Sequence, residues 1–313
     1  MTKERVRTNS LKLRFQKQIQ RNWILYLMNL PVVIYFLIVH YYPMYGAILA
    51  FKDFNIKKGI MGSIWVGFNH FERFFRSKFF GTMLGNTLGI SVYSILVGFP
   101  IPIIFALLLH YLPSKKLKKT VQMVSYAPHF LSTVVIVCMI TLFTRHETGV
   151  FNTVFRAALG KESVNWLAVP DWFKSIYVWS GVWQDMGWSA IIYLSALIGV
   201  DPEMHEAAII DGATKLQRIR HIDIPSISST IIMLLILRMG SIMSVGFEKV
   251  YLLQNDLNYK ASETISTYVY KIGLLDGDYS FSTAVGLFNN VINIILLVSV
   301  NRLSKHLLGE SLF

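Results

Sequence analysis

The residues best suited to specific work lie between positions 201 and 225, which read Asp-Pro-Glu-Met-His-Glu-Ala-Ala-Ile-Ile-Asp-Gly-Ala-Thr-Lys-Leu-Gln-Arg-Ile-Arg-His-Ile-Asp-Ile-Pro. Asp201 can cap a helix, Pro202 fits its first position, and Glu203 complements its positive end. Gly212 supplies the left-handed turn that stops this helix. Thr214, with Gln217 three residues on, predicts a capping box for a second helix. Pro225 disfavours helix at Ile224 and is placed to open the helix that follows. The expected product is a rigid helix–Gly–helix knob. Ala207 and Ala208 keep its surface low enough for close approach by a partner, and Glu206 offers a charge to orient that partner. Its chemistry is docking, and a rigid dock transmits motion.

A second set of candidates is charged or polar among apolar neighbours. Asp185 interrupts the apolar run 176–199, and Arg238 interrupts the run 226–247. At 1.5 Å per residue, Asp185 lies roughly 13 Å from one end of its run and Arg238 roughly 18 Å from the opposite end of its own. In hydrocarbon about 30 Å thick these depths nearly coincide. A charge inside a membrane is paired or faces a water-filled cavity. The two are therefore expected to form an ion pair, or to line a translocation pathway. Trp183, Gln184, Trp188 and Tyr193 accompany Asp185, and Asn289, Asn290 and Asn293 form a polar stripe near the C-terminus. Aromatic faces suit the apolar faces of sugar rings, and amides suit hydroxyls. The competing reading makes these residues interfacial aromatics and helix–helix hydrogen bonds.

Other chemistries lack their residues. The eight histidines form no His-Glu-x-x-His motif and no i, i+4 pair on one helix, so His129, His146 and the rest are expected in loops or at interfaces and no metal ligands are assigned. The single cysteine, Cys138, excludes an intramolecular disulfide and is expected to be a small buried hydrophobe. Lys161 follows Gly160, but Phe155 stands where a phosphate-binding loop needs its first glycine. No catalytic triad or carboxylate pair can be placed either.

The elements that position these residues follow from composition. Of 313 residues, 53% are hydrophobic and 15% charged, against about 25% charged in soluble domains. Too few charges remain to cover a water-facing surface, which excludes a soluble enzyme. Runs free of charge extend between Arg21 and Lys52, Lys78 and Lys115, Lys119 and Arg145, and Asp278 and Arg302. With the runs around Asp185 and Arg238, they predict an all-α integral membrane protein of six transmembrane helices near 24–50, 86–111, 122–144, 176–199, 226–247 and 283–302. The first is expected to be a retained span rather than a cleaved signal. The net charge of +12 fits loops facing anionic lipid better than nucleic acid. Seven Lys and Arg precede residue 22, and Lys115, Lys116, Lys118 and Lys119 crowd the 113–120 connection. The 51–85 loop opposes this with six bases and two acids, yet the densest clusters put both termini in the cytoplasm. Leu11, Phe15, Ile19 and Trp23 recur among Lys and Arg, so 1–23 reads as a basic segment that either lies on the inner leaflet or only orients insertion. The remainder, 24–313, is one six-helix domain carrying the cytoplasmic loop 200–225 between helices 4 and 5.

Glu206-Ala207-Ala208, three residues, Gly212, nine residues, Ile222, one residue, Ile224 and Pro225 resemble the EAA loop of membrane subunits of binding-protein-dependent ABC importers. The family commonly has Leu where Ile224 stands. Trp65-Val-Gly-Phe-Asn-His-Phe71, Asn86-Thr87, Gly187-Trp188, Thr267 to Gly273 and Asn301-Arg-Leu-Ser304 resemble its carbohydrate branch, the maltose-importer-like oligosaccharide permeases. The resemblance implies a type I ABC importer permease in a bacterial cell membrane. It implies that Glu206, Ala207, Ala208, Asp211, Gly212, Ile222 and Pro225 couple the chain to a cytoplasmic ABC ATPase dimer. It also implies a second permease subunit and an extracellular or periplasmic solute-binding protein received by the outer loops, including 251–281. No cofactor is expected on this chain, ATP and magnesium belonging to the ATPase. Other members import non-sugar solutes, which keeps that alternative open. A self-contained secondary transporter would call for several carboxylates within the spans or inverted repeats, and one Asp and no repeat speak against it.

Overall fold

A computed structural model describes residues 20–160 and 162–308. The basic segment expected over 1–23 lies, up to residue 19, outside the described residues. By internal packing the chain divides into two units, Met1–Gly67 and Phe68–Phe313.

In the first unit, α1 (Trp23–Tyr35) continues through a π turn, Phe36–Tyr41, and tighter turns to Phe51. The whole segment Trp23–Phe51 is long and apolar enough to cross a membrane. Strands β1 (Lys52–Asp53) and β2 (Ile64–Trp65) then pair antiparallel, with Phe51 stacked on Trp65 at 5.7 Å between ring centroids.

In the second unit the longer helices are α2 (Asn69–Phe75), α3 (Phe80–Gly98), α4 (Pro100–His110), α5 (Lys115–Tyr126), α6 (Thr133–Phe143), α7 (Val150–Leu159) and α8 (Pro170–Ile198). They continue as α9 (Pro202–Ile210), α10 (Ser228–Met239), α11 (Phe247–Leu253), α12 (Ile265–Tyr270) and α13 (Tyr279–Leu308). Helices α3 and α4 together, and α13, are each apolar and long enough to span. The segment expected as the third span, 122–144, is instead bent, Lys115–Phe130 meeting Thr133–Phe143 at 101°. The fifth, 226–247, is instead a helix Ser228–Met239 that meets the preceding Lys215–Ser226 at 62° and ends at Met239. The first bend follows from Pro128 in a 3-10 turn and from Ser132, whose hydroxyl caps α6 by accepting from Val135 N–H. Sequence hydropathy conceals both breaks because neither introduces a charge.

The central element is α8, 29 residues long and about 44 Å at 1.5 Å per residue. One half packs Phe173 with Ile90, Ile136, Val137 and Val250. The other packs Ala190, Tyr193, Leu194 and Leu197 against Ala106, Leu107 and Leu109 of α4 and against Ile227. A third core joins Phe74, Met83, Met243, Ile265, Phe281 and Val285. Cys138, expected to be buried, is exposed on α6, where a small apolar side chain suits an apolar surround as well as a core does. Asn86 and Thr87 anchor a distant segment. The Asn86 amide donates to the carbonyls of Lys260 (2.8 Å) and Glu263 (3.0 Å), and Ile265 N–H donates to Thr87 at 3.1 Å.

Gly187 lets α8 and α5 touch. A Cβ there would lie 2.4 Å from the Ser125 carbonyl oxygen, so any side chain forces backbone apart. Gly187→Ala is expected to lower stability by about 1–3 kcal/mol, read as a reduced thermal midpoint of the detergent-purified protein. An unchanged midpoint would contradict this approach.

Candidate functional site

A cavity of about 870 Å³ opens between α3, α8 and the two broken segments. Irregular backbone at membrane depth is tolerated where it is buried or lines a cavity: the first break lines it through His129, the second is buried at Ile227, and the irregular chain after Met239 lines it through Ser241, Ser244 and Val245. Besides the phenols of Tyr177 and Tyr193, four ionisable side chains line the cavity: His129, Asp185, Arg238 and Lys249. His129 Nδ1 lies 2.9 Å from Asp185 Oδ1, and the His129 ring stacks on Trp188 at 4.6 Å and 5°. Asp185 and Trp188 are three residues apart on α8, hence on one face, and together they clamp the imidazole. Lys249, 9% exposed on α11, donates to the Tyr177 carbonyl at 3.1 Å and sits 5.0 Å from that ring's centroid. Arg238 makes no ion pair among the described residues.

Asp185 and Arg238 thus share the cavity wall, while the ion-pair partner of Asp185 is His129. Of the aromatic and amide candidates, Gln184, Trp188 and Tyr193 line the cavity, and Trp183, Asn289 and Asn293 do not. Gln184 reaches the Leu131 carbonyl at 3.2 Å, bracing the bend, and Tyr193 is nearly buried against Phe99. Asn293, expected among the substrate contacts, is used up internally. Its Oδ1 accepts from Met243 N–H at 2.9 Å and its amide donates to Ser244 at 3.0 Å, holding the chain where α10 ends. Tyr177 and Lys249 went unassigned in the sequence, and His129, expected in a loop or at an interface, sits in a turn that lines the cavity. Lys249 follows Glu248 in a short amphipathic stretch that reads as a loop. Only the apolar neighbours at Val250 and Leu253 hint at its burial.

The segment 201–225 folds largely as its local signals dictate. Asp201 accepts from Glu203 N–H at 2.9 Å, and Thr214 and Gln217 form the capping box. Gly212 has φ +79°. Ala213 N–H returns to Ala208 at 2.8 Å and Gly212 N–H to Ile209 at 3.0 Å, a Schellman stop. Glu206, Ala207, Asp211 and Gly212 are exposed, Ala208 is half-buried, and Ile222 is buried. Ile210 and Leu216, at 86% and 75% exposure, add apolar surface beside them. Ile224 departs from expectation. It is helical, with φ −61° and ψ −46°, because the π turn Ile219–Asp223 immediately upstream widens the helix enough to admit Pro225.

Within 251–281, Lys271 Nζ and the Gln254 amide both donate to Glu263 Oε2, at 2.7 and 2.8 Å, fastening the segment to itself. Burial, reinforced by the Glu263 carboxylate, pushes the neighbouring Tyr259 phenol up to about 12, so it stays protonated.

A membrane-embedded helical subunit with a charged cavity and a rigid exposed knob is built for transport, and the comparisons agree. The chain belongs to the family of binding-protein-dependent transport system inner membrane components, which its residues 98–309 match. It is 43% identical over 295 residues to Protein LplB of Bacillus subtilis, covering 94% of this chain and 92% of that protein. It is 42% identical to the polygalacturonan/rhamnogalacturonan transport system permease protein YteP of the same organism, covering 95% and 92%. Its fold matches a subunit of a bacterial ABC transporter involved in the import of the acidic polysaccharide alginate, with TM-score 0.87, 39% identity, and coverage of 94% of this chain and 99% of that one. A second structure of a bacterial alginate ABC transporter, in complex with an alginate pentasaccharide-bound periplasmic protein, matches with TM-score 0.88 and 38% identity over 96% and 100% of the chains. The chain is a membrane transport subunit and not an enzyme.

Asn293→Leu leaves the buried Met243 N–H without a partner and is expected to cost about 1–3 kcal/mol, seen as a lower thermal midpoint. Loss of transport with an unchanged midpoint would make Asn293 a substrate contact instead.

Proposed function

We propose that this chain forms one half of the translocation pathway of an ATP-driven importer for acidic oligosaccharides. In this reading it crosses the membrane six times with both termini in the cytoplasm, each bent pair counting as one span and α8 as another. The segment 200–225 then lies in the cytoplasm and docks into a separate ATPase, which carries the ATP and magnesium. A second permease subunit completes the pathway, and an external binding protein delivers the sugar.

The observation that carries the choice of substrate is the charge of the cavity wall. Asp185 is held by His129, which leaves Arg238 and Lys249 as the cations facing the cavity. A cation in an apolar wall attracts an anion strongly because water screens it poorly. The carboxylates of uronate residues, carried on rings whose apolar faces suit Trp188, fit such a wall. The names of relatives that handle polygalacturonan, rhamnogalacturonan and alginate support the same chemistry. The docking role rests on the matched EAA pattern and on Glu206, Ile210 and Leu216 lying exposed around a Gly-stopped helix end.

Uptake of uronate oligosaccharides and of neutral oligosaccharides of equal length, in proteoliposomes holding the assembled transporter, tests the substrate. Lys249→Gln is expected to weaken uronate uptake roughly ten- to hundredfold, the worth of a charge-assisted hydrogen bond, and to leave ATPase subunit recovery unchanged. Equal uptake of both glycans by the wild type would refute the acidic assignment. Gly212→Pro tests coupling separately, since proline cannot adopt φ +79°. The variant is expected to purify with the second permease but without the ATPase, and full ATPase recovery would contradict the dock.

A further inference from the structure

His110 ends α4, His205 lies on α9 beside Glu206, and Asp223 ends the π turn Ile219–Asp223. Nearly a hundred residues or more separate the first from the other two, yet one ligand atom from each falls within 4.8 Å of the others. We propose that these three side chains form a binding site for a divalent transition-metal ion, of the zinc and cobalt class, that fastens α9 to the end of α4.

The carboxylate of Asp223 carries the argument. It is 0% exposed, and no Lys or Arg pairs with it among the described residues. The Tyr111 hydroxyl donates to Oδ2 at 2.7 Å. Oδ1 points instead at His205 Nε2, 3.3 Å away, and neither atom makes a hydrogen bond. Two buried polar atoms that face each other without bonding are costly unless something lies between them. Bonds of about 2.0–2.1 Å at a tetrahedral angle hold two ligands roughly 3.3 Å apart, so the spacing is one edge of a coordination tetrahedron. His110 supplies a third corner, its ring centroid 6.3 Å from that of His205. The fourth corner is left for water.

The donor set selects the ion. Two imidazoles and one carboxylate suit zinc, cobalt or nickel, whereas calcium and magnesium prefer oxygen ligands alone. Tyr111 plays the outer part such sites need, holding the second carboxylate oxygen so that the first stays aimed. The π turn matters as well, since one residue fewer there would rotate Asp223 by about 100° away from the cluster. Bound metal would stiffen the joint between α9 and the helices behind it. That consequence rests on the docking role of 200–225. The binding itself does not, so the two can fail separately.

The test uses the assembled transporter without its binding protein, purified through a tag free of histidine, stripped with EDTA and titrated with Zn²⁺ and then Co²⁺. The expected result is one ion retained per copy of this chain, with the intense visible absorption of tetrahedral cobalt, and loss of both signals in His110→Ala and His205→Gln. Size-exclusion elution unchanged from wild type shows that the variants remain assembled. Tyr111→Phe, which keeps all three ligands, is expected to bind cobalt about tenfold more weakly. No ion retained by the wild type, or equal metal content in the wild type and both histidine variants, would overturn the site.

Discussion

Placing ionisable groups at membrane depth is costly unless they are paired or wetted, and the arrangement of this chain follows from where it puts four of them. His129, Asp185, Arg238 and Lys249 converge on a single cavity from four separate stretches of sequence. To bring them there the third segment bends at Pro128, the fifth stops at Met239, and α11 folds back so that Lys249 lies against Tyr177. Each irregularity would be penalised in lipid and is tolerated here because it forms cavity wall. The chain at the end of α10 is held by Asn293, and the bend before α6 is braced by Gln184. Gln184 from the wall itself and Asn293 from behind it thus hold the two irregular stretches in place.

The helix that bears Asp185 also connects the cavity to the exposed knob. After Ile198 only a short turn separates α8 from Asp201, the cap of α9. Leu194 and Leu197 at this end of α8 pack with Leu109 of α4 and with Ile227, at the junction just before α10. Between Ile198 and Asp201 only Gly199 and Val200 intervene, so α9 follows closely on the packed base of α8. The Schellman stop at Gly212 and the capping box at Thr214 define the two helix ends inside the knob. Tyr111, joined to Asp223 across the same base, ties the end of α4 into the unit.

How much of this was legible in the sequence depended on how local each signal is. The knob was nearly complete in the sequence, because caps, a left-handed glycine and their spacing act within a few residues. Only Ile224 escaped, since a π turn has no simple sequence signature. The spans were legible as apolar lengths, but their bends were not. A hydropathy run such as 119–145 reads the same whether straight or broken, and Pro128 and Ser132 were the only hints. The cavity was the least legible. Asp185 and Arg238 were visible as charges in apolar runs and do share it, yet the partner of Asp185, His129, sits 56 positions away in a turn. The separation of 139 residues between Lys249 and His110 likewise conceals that one faces the cavity and the other the base of the knob.

The central claim is that a negatively charged glycan passes along this cavity beside Lys249 and Arg238. The most direct measurement is a cryo-electron microscopy reconstruction of the assembled importer, trapped with ATP and a uronate oligosaccharide. The account predicts glycan density stacked near Trp188, with a carboxylate within ion-pair distance of Lys249 or Arg238. Glycan density bounded only by the second permease subunit, with both cations facing water, would contradict it.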